Sequence, residues 1–158
     1  GFDSAVTQFV RTHHFPVKGT PEYLHGVLRV LLSFKPPRVK LRGDFGAFDG
    51  RIFLAATGNS SSYGGAMMIA PGAKIDDGIM DLCVVGEVSK LTLLRILPRV
   101  FKGGHVSHPA VKMFKTRRLE IETPDGPQDV CADGEVLGTT PTILEVAASV
   151  LHVKVKIP

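Results

Sequence analysis

Short apolar runs separated by turn signals dominate the C-terminal part of the chain. They cover residues 118–122, 130–132, 142–146 and 151–157, and the turn-forming pair Asp133-Gly134 stands between two of them. Strands this short and closely spaced are joined by hairpins and pair antiparallel in a sandwich or barrel. The sequence therefore predicts a mainly β, α+β fold, an antiparallel β-sandwich with two or three peripheral helices.

The N-terminal half supplies the peripheral helices. A short helix is predicted over residues 4–13, and a clearer one begins at Thr20-Pro21 and ends at Pro36-Pro37. A third amphipathic helix is predicted from Ser89 to the Gly103-Gly104 pair, with a kink at Pro98.

Between these helices the apolar period changes from about 3.6 residues to two, which indicates strands. The pattern starts at Val39 and returns in residues 51–57 and 81–85. Asp49-Gly50 is predicted to be the turn that leads into the second of these strands.

Composition limits the protein to a single domain without a membrane span. The 158 residues contain 44% hydrophobic and 22% charged residues, and no apolar run reaches the roughly 18 residues of a transmembrane helix. We therefore expect a soluble or peripheral protein. Gly1-Phe2-Asp3 is typical of mid-chain sequence, so we also expect a piece of a longer polypeptide.

Cysteine, histidine and basic residues give weaker signals. Cys83 and Cys131 lie in apolar runs and are predicted to be reduced structural thiols. His105 and His108 lack partners at metal-ligand spacing, which favours surface or structural roles. A net charge of +4 suits an anionic partner such as a nucleotide or an acidic membrane. The densest basic cluster is interpreted as a solvated strand face or a lipid-headgroup contact: Lys112, Lys115, Arg117 and Arg118.

The segment 58–81 concentrates glycines, an Asn-Ser-Ser-Ser run and three acids in about two dozen residues. Such a segment suits phosphate cradling, cation binding or both. Asn59 could contact a phosphate or a metal, or form a local Asx turn. Asp77, beside Gly78, could hold Mg²⁺ or Ca²⁺ together with backbone oxygens, or be a solvated acid in a hairpin turn.

A second candidate site is the Asp133-Gly134-Glu135 sequence. An Asp-Gly pair between apolar runs is the typical type I′ turn of a β-hairpin. The functional interpretation is a carboxylate pair at a strand end, where one acid accepts a proton from an attacking hydroxyl and the other sets its charge environment.

In order along the chain, these motifs resemble the C-terminal domain of the diacylglycerol kinase catalytic family, bacterial lipid kinases related to sphingosine and ceramide kinases. The resemblance covers almost the whole chain. Its residues are Gly1-Phe2-Asp3-Ser4-Ala5, Gly58-Asn59, Tyr63-Gly64-Gly65, Ile69-Ala70-Pro71-Gly72-Ala73, Asp77-Gly78-Ile79-Met80-Asp81, Ser107-His108-Pro109-Ala110-Val111 and Asp133-Gly134-Glu135.

The resemblance implies a two-domain, ATP-dependent lipid kinase of which residues 1–158 are the C-terminal β-sandwich domain. It implies that Asp133 is the general base, with Glu135 beside it, and that a nucleotide cleft is faced by Asn59, Gly64 and Gly65. It also implies a structural Mg²⁺ held by the Asp77 side chain and by backbone oxygens of Lys74 and Ile79.

The implied partners are ATP, a lipid alcohol such as diacylglycerol, the enzyme's own N-terminal domain and, peripherally, the cytoplasmic membrane surface. No nucleic-acid partner is expected, and an isolated half would favour homodimer formation through exposed apolar surface. The family's Gly-Gly-Asp-Gly-Thr phosphate loop is absent from these residues, so we expect the chain alone to have little or no kinase activity. The alternatives are a non-catalytic lipid-binding or interaction module and an NAD kinase-like enzyme.

Overall fold

The computed structural model describes residues 1–13, 20–62 and 67–150. Its α-helices are α1 (Phe2–Thr12), α2 (Thr20–Ser33) and α3 (Lys90–Ile96), and 3₁₀ helices cover Leu97–Lys102 and Gly104–Ser107. The strands are β1 (Arg38–Gly43), β2 (Gly46–Gly58), β3 (Met80–Gly86), β4 (Val111–Thr116), β5 (Arg118–Glu122), β6 (Asp129–Ala132), β7 (Glu135–Thr139) and β8 (Thr142–Glu145). The strand predicted over residues 151–157 lies outside the described residues.

Six of the strands form one antiparallel sheet in the order β4-β3-β2-β1-β5-β8, and β6 pairs with β7 in a separate hairpin. The predicted fold class, a mainly antiparallel β-sandwich with peripheral helices, is confirmed. Strands β4 and β7 were not among the predicted strands.

The central strand β3 is buried on both faces and separates two apolar cores. Cys83 and Val85 point to the helices, whereas Leu82 and Val84 point to the opposite face. The helix-side core contains Phe2, Val6, Val27, Leu31, Phe53, Met67, Ile69, Cys83, Val85, Leu93, Ile96, Val100 and Val111. The sheet-side core contains Val39, Leu41, Ile52, Met80, Leu82, Val84 and Leu119.

The sheet curls around the sheet-side core. A bulge between Ile52 and Leu54 divides β2 into a first half that pairs with β1 and a second half that pairs with β3. The curl is closed where the β1–β2 turn meets the β4–β5 corner. There Asp44 N donates to Thr116 Oγ1 at 3.0 Å, and Arg117 N donates to Asp44 Oδ2 at 2.9 Å.

The third helix begins where it was predicted, after Ser89, but its C-terminal part is a 3₁₀ helix. The Ser89 hydroxyl accepts a hydrogen bond from Thr92 N at 3.1 Å, which is the expected N-cap. Around Pro98 the chain continues as a 3₁₀ helix instead of a kinked α-helix. No helix in the described part of the chain is long and apolar enough to cross a membrane.

The turn predicted at Asp49-Gly50 is wrong, because both residues lie inside β2. Asp49 pairs in register with Lys40, and its carboxylate receives a two-pronged hydrogen bond from Arg38 at 2.7 and 2.9 Å. The cross-strand ladder overrides the local turn preference of Asp-Gly, and the chain turns at Asp44 and Phe45 instead.

The two thiols are free, as predicted. Cys83 is fully buried in the helix-side core, where burial raises its pKa to about 12. A thiol held protonated in this way is a packing group and not a nucleophile.

Candidate functional site

Asp133 and Gly134 form the tip of the β6–β7 hairpin. Their φ angles are +50° and +83°, so both adopt the left-handed conformation of a type I′ turn. Gly134 adopts it without steric cost, and Asp is one of the few other residues that tolerate it. The turn holds the carboxylates of Asp133 and Glu135 at a solvent-exposed strand end.

The hairpin is fastened to α1 by two side chains. The Gln8 amide donates to the Asp129 carboxylate, and the Arg11 guanidinium donates to the Gly134 carbonyl at 3.3 Å. The second bond reaches the turn itself, so α1 orients the segment that carries Asp133. No cation within the described residues lies in ion-pair distance of Asp133 or Glu135.

The other end of the hairpin is clamped by a buried threonine. Thr140 N donates to Gln128 O, and Gln128 N donates to Thr140 Oγ1, each at 2.9 Å. Thr140 Oγ1 also contacts Thr123 Oγ1. The strand β7 above this clamp is exposed along its whole length, and Leu137 is 70% exposed.

Segment 58–81 is the connection between β2 and β3, and its two ends meet because Gly58 pairs with Asp81. Asn59 Nδ2 lies 3.5 Å from Ile75 O, a long contact that links the two parts of the connection. Gly64 and Gly65, two of the predicted nucleotide contacts, lie outside the described residues.

Asp77 is engaged in a local turn and faces a cation. Its Oδ1 accepts from Ile79 N at 3.0 Å, and its Oδ2 lies 3.9 Å from Lys115 Nζ. Lys115 Nζ lies closer to Asp81 Oδ2, at 3.1 Å, and the Asp81 side chain is only 5% exposed. One ammonium group therefore lies beside both acids and offsets part of their negative charge.

The sequence did not single out this Lys115–Asp81 pair. The two residues face each other in the register of β3 and β4, and local spacing carries no signal for such a cross-strand pair. No group of three His, Cys, Asp or Glu side chains converges as a metal cluster within residues 1–13, 20–62 and 67–150. A cation here would depend on one carboxylate, backbone oxygens and water, which suits the hydrated coordination of Mg²⁺.

The buried side chain of His105 binds the backbone of the β2–β3 connection. It is 1% exposed, and its Nε2 donates to Ile69 O at 3.1 Å, which leaves Nδ1 unprotonated and without a hydrogen-bond partner among the described residues. Burial lowers the pKa of the imidazole, partly offset by this backbone hydrogen bond. A neighbouring apolar cavity of about 60 Å³ is too small for a lipid tail.

The structure leaves the candidate residues in two places. Asp133 and Glu135 lie at the tip of the β6–β7 hairpin, which is hydrogen-bonded to α1. Asn59 and Asp77 lie in the β2–β3 connection. No hydrogen bond or ion pair between described residues joins the two places. The chain supplies two separate polar surfaces, both at ends of strands.

Comparison with known proteins assigns the chain to a family. Residues 1–155 match the family model described as the YegS C-terminal NAD kinase β-sandwich-like domain. The chain belongs to the YegS C-terminal domain family. The predicted resemblance to the bacterial lipid kinases is thereby confirmed at the level of the family.

Proteins with similar sequences carry lipid kinase names. A diacylglycerol kinase of Mycobacterium tuberculosis is 30% identical over 97% of this chain and 49% of its own length. A probable lipid kinase YegS-like protein of Shewanella frigidimarina is 33% identical over 78% of this chain and 40% of its own length. The chain thus spans about half the length of these relatives.

A solved structure from Bacillus anthracis, provisionally described as a diacylglycerol kinase, superimposes with a TM-score of 0.59. It is 24% identical and covers 82% of this chain and 46% of its own chain. At that identity the likeness supports the YegS C-terminal fold alone.

Proposed function

We propose that the chain is the C-terminal half of a two-domain, ATP-dependent lipid kinase that works peripherally at the cytoplasmic membrane surface. The observation that carries this proposal is the Asp133 turn: an exposed carboxylate fixed in a type I′ turn, with a second acid two residues on and α1 holding the turn in place. A general base has to be fixed in this way before substrate arrives.

In the proposed reaction a lipid hydroxyl attacks the γ-phosphorus of ATP. An oxygen–phosphorus bond forms to the lipid, the bond to the ADP oxygen breaks, and Asp133 accepts the hydroxyl proton. Glu135 places a second negative charge at the same turn, two residues beyond the base. The N-terminal domain, with its phosphate loop, binds the triphosphate, and Asn59, Gly64 and Gly65 form the opposite wall of the cleft.

The exposed strand β7 supports the need for a second domain. Val136 and Leu137 are 43% and 70% exposed beside the proposed base, which is costly for an edge strand in water. Packing against another domain would cover them and bring the phosphate-binding loop to the turn.

An open groove between α1 and α2 supports a lipid acceptor. Its volume is about 490 Å³, and it combines apolar side chains with basic and titratable ones. The groove is lined by Phe9, His13, His25, Arg29, Leu32 and Ser33. Because α1 also holds the hairpin, an amphiphile in this groove would lie on the same helix that orients Asp133.

Structural Mg²⁺ is proposed for the Asp77 loop, held by the Asp77 side chain and by backbone oxygens of Lys74 and Ile79. Bound there, it would add a fixed positive charge beside the cleft. The test is thermal unfolding with Mg²⁺ and with a chelator. The difference in Tm should vanish in Asp77→Ala. An unchanged Tm of the parent protein on addition of the chelator would exclude the site.

The activity is tested by transfer of radioactive γ-phosphate from ATP. The full-length protein should label diacylglycerol or another lipid alcohol, and residues 1–158 alone should not. Transfer to NAD instead of lipid would assign the protein to the NAD kinase-like alternative. Lipid binding without any transfer would assign it to the non-catalytic alternative.

A further inference from the structure

Positive charge is concentrated in one part of the chain. Residues 88–119 contain eight of the 19 Lys and Arg residues and none of the 15 Asp and Glu residues. The residues outside this segment carry a net negative charge, although the net charge of the whole chain is +4. This segment comprises α3, the two 3₁₀ helices and β4, with the first residues of β5.

The basic residues on β4 and β5 have partners. Lys115 pairs with Asp81, and Arg118 pairs with Glu120 and Glu145. Lys112 lies over the ring of Phe48, 5.3 Å from its centroid. These contacts lie on partly exposed strands, which favours the interpretation of that cluster as a solvated strand face.

The cations of α3 and the following 3₁₀ helix have no such partners. Arg95, Arg99 and Lys102 are exposed, and none of them lies within ion-pair distance of a carboxylate in the described residues. They follow one another at spacings of four and three residues across the end of α3 and the 3₁₀ helix. The same segment is attached to the helix-side core through the buried side chains of Leu93, Ile96 and Val100.

Exposed apolar side chains are interspersed with these cations along the chain. Leu91 is 58% exposed, Phe101 50% and Val106 40%. A solvated helix face normally mixes charges of both signs, whereas cations with interspersed exposed apolar groups match an interfacial amphipathic helix. We call the six residues Leu91, Arg95, Arg99, Phe101, Lys102 and Val106 the basic face.

We propose that the basic face docks the protein on an anionic lipid bilayer. The cations neutralise headgroup phosphates, and Leu91, Phe101 and Val106 enter the boundary between headgroups and acyl chains. The exposed apolar groups favour a bilayer over a nucleic acid, whose backbone offers them nothing to bury against. The choice of a lipid partner rests on the proposed kinase function, but docking itself needs no turnover.

The test is co-sedimentation of the full-length protein with vesicles, without ATP. Vesicles of phosphatidylcholine mixed with phosphatidylglycerol should bind it, and phosphatidylcholine alone should bind it weakly. Added salt should weaken the binding, because the contacts are exposed. Equal binding to both kinds of vesicle, or indifference to salt, would overturn the proposal.

A charge-matched pair of variants tests the location. Arg99→Gln with Lys102→Gln should reduce partitioning onto the anionic vesicles about fivefold per cation, roughly 25-fold together. Lys35→Gln with Arg42→Gln removes two exposed cations elsewhere. This control pair should reduce vesicle binding only by the small amount expected from the lower net charge. Equal effects of the two pairs would refute the basic face.

A second pair tests the apolar contribution. Leu91→Gln should weaken vesicle binding, whereas Ile143→Gln, at a side chain 51% exposed on β8, should not. Thermal unfolding of every variant checks that the fold is intact. If the basic-face variants bind vesicles normally but lose affinity for an oligonucleotide, the partner is nucleic acid. If vesicle binding persists as predicted while phosphate transfer to lipid is absent, the docking surface stands and the kinase proposal fails.

Discussion

Removing the imidazole of His105 gives the sharpest test of the packing beneath the β2–β3 connection. In His105→Leu the Ile69 carbonyl loses its buried donor, which costs about 1–3 kcal/mol at pH 8. For a chain of this size that corresponds to a fall in Tm of roughly 2–12 °C.

The pH dependence of the same variant is more specific. Burial lowers the pKa of His105 below its ordinary 6.5, so below that pH the unfolded chain binds a proton that the folded chain resists. The wild-type imidazole therefore makes its full contribution to the free energy of unfolding above pH 6.5. That contribution falls as the solution is acidified toward the folded-state pKa. One proton limits the slope to about 1.4 kcal/mol per pH unit.

From pH 8 to pH 5 the wild type should therefore lose up to about 2 kcal/mol more than His105→Leu. Urea unfolding at both pH values measures this difference, and other titrating groups cancel in the comparison. Parallel pH curves for wild type and His105→Leu would refute the buried neutral imidazole.

Three further changes test other contacts. Leu82→Ala, at a fully buried side chain of the sheet-side core, should cost about 2–5 kcal/mol in urea unfolding, whereas Leu137→Ala, 70% exposed, should stay within about 0.5 kcal/mol. Gly43→Ala would bring its Cβ to 2.6 Å from Thr116 Oγ1 and should cost about 1–3 kcal/mol, so an unchanged midpoint would contradict that close approach. Lys115→Met removes the ammonium that competes for the Asp77 loop and should strengthen Mg²⁺ binding in calorimetry, whereas an unchanged affinity would argue against the cation site.

Local signals in the sequence were sufficient for elements that depend on neighbouring residues. The Ser89 cap and the type I′ turn at Asp133-Gly134 are set by backbone preferences within a few residues, and both are found where they were predicted. Asp49-Gly50 carries the same kind of signal and is nevertheless strand, because Arg38 binds Asp49 across the ladder. Local preference decides a turn only where no partner strand competes.

In the candidate site, too, local contacts were predictable from the sequence and contacts between distant strands were not. The Asp77 turn depends on Ile79, two residues away, and is visible in the sequence as an Asp-Gly motif. The Lys115 ammonium beside it comes from strand β4, 34 residues beyond Asp81, and follows only from strand register. The proposed convergence of the Asp133 turn and the β2–β3 connection on one nucleotide would require a second domain, and no spacing within this chain encodes it.

The central claim is that Asp133 accepts the proton of the lipid hydroxyl. The direct measurement is kcat for phosphate transfer to a lipid alcohol by the full-length protein carrying Asp133→Asn. We predict a fall of about 10²- to 10⁴-fold, while Asp129→Asn, which keeps a side-chain acceptor for Gln8 in the same hairpin, retains most of the activity. Wild-type turnover in Asp133→Asn would contradict the account.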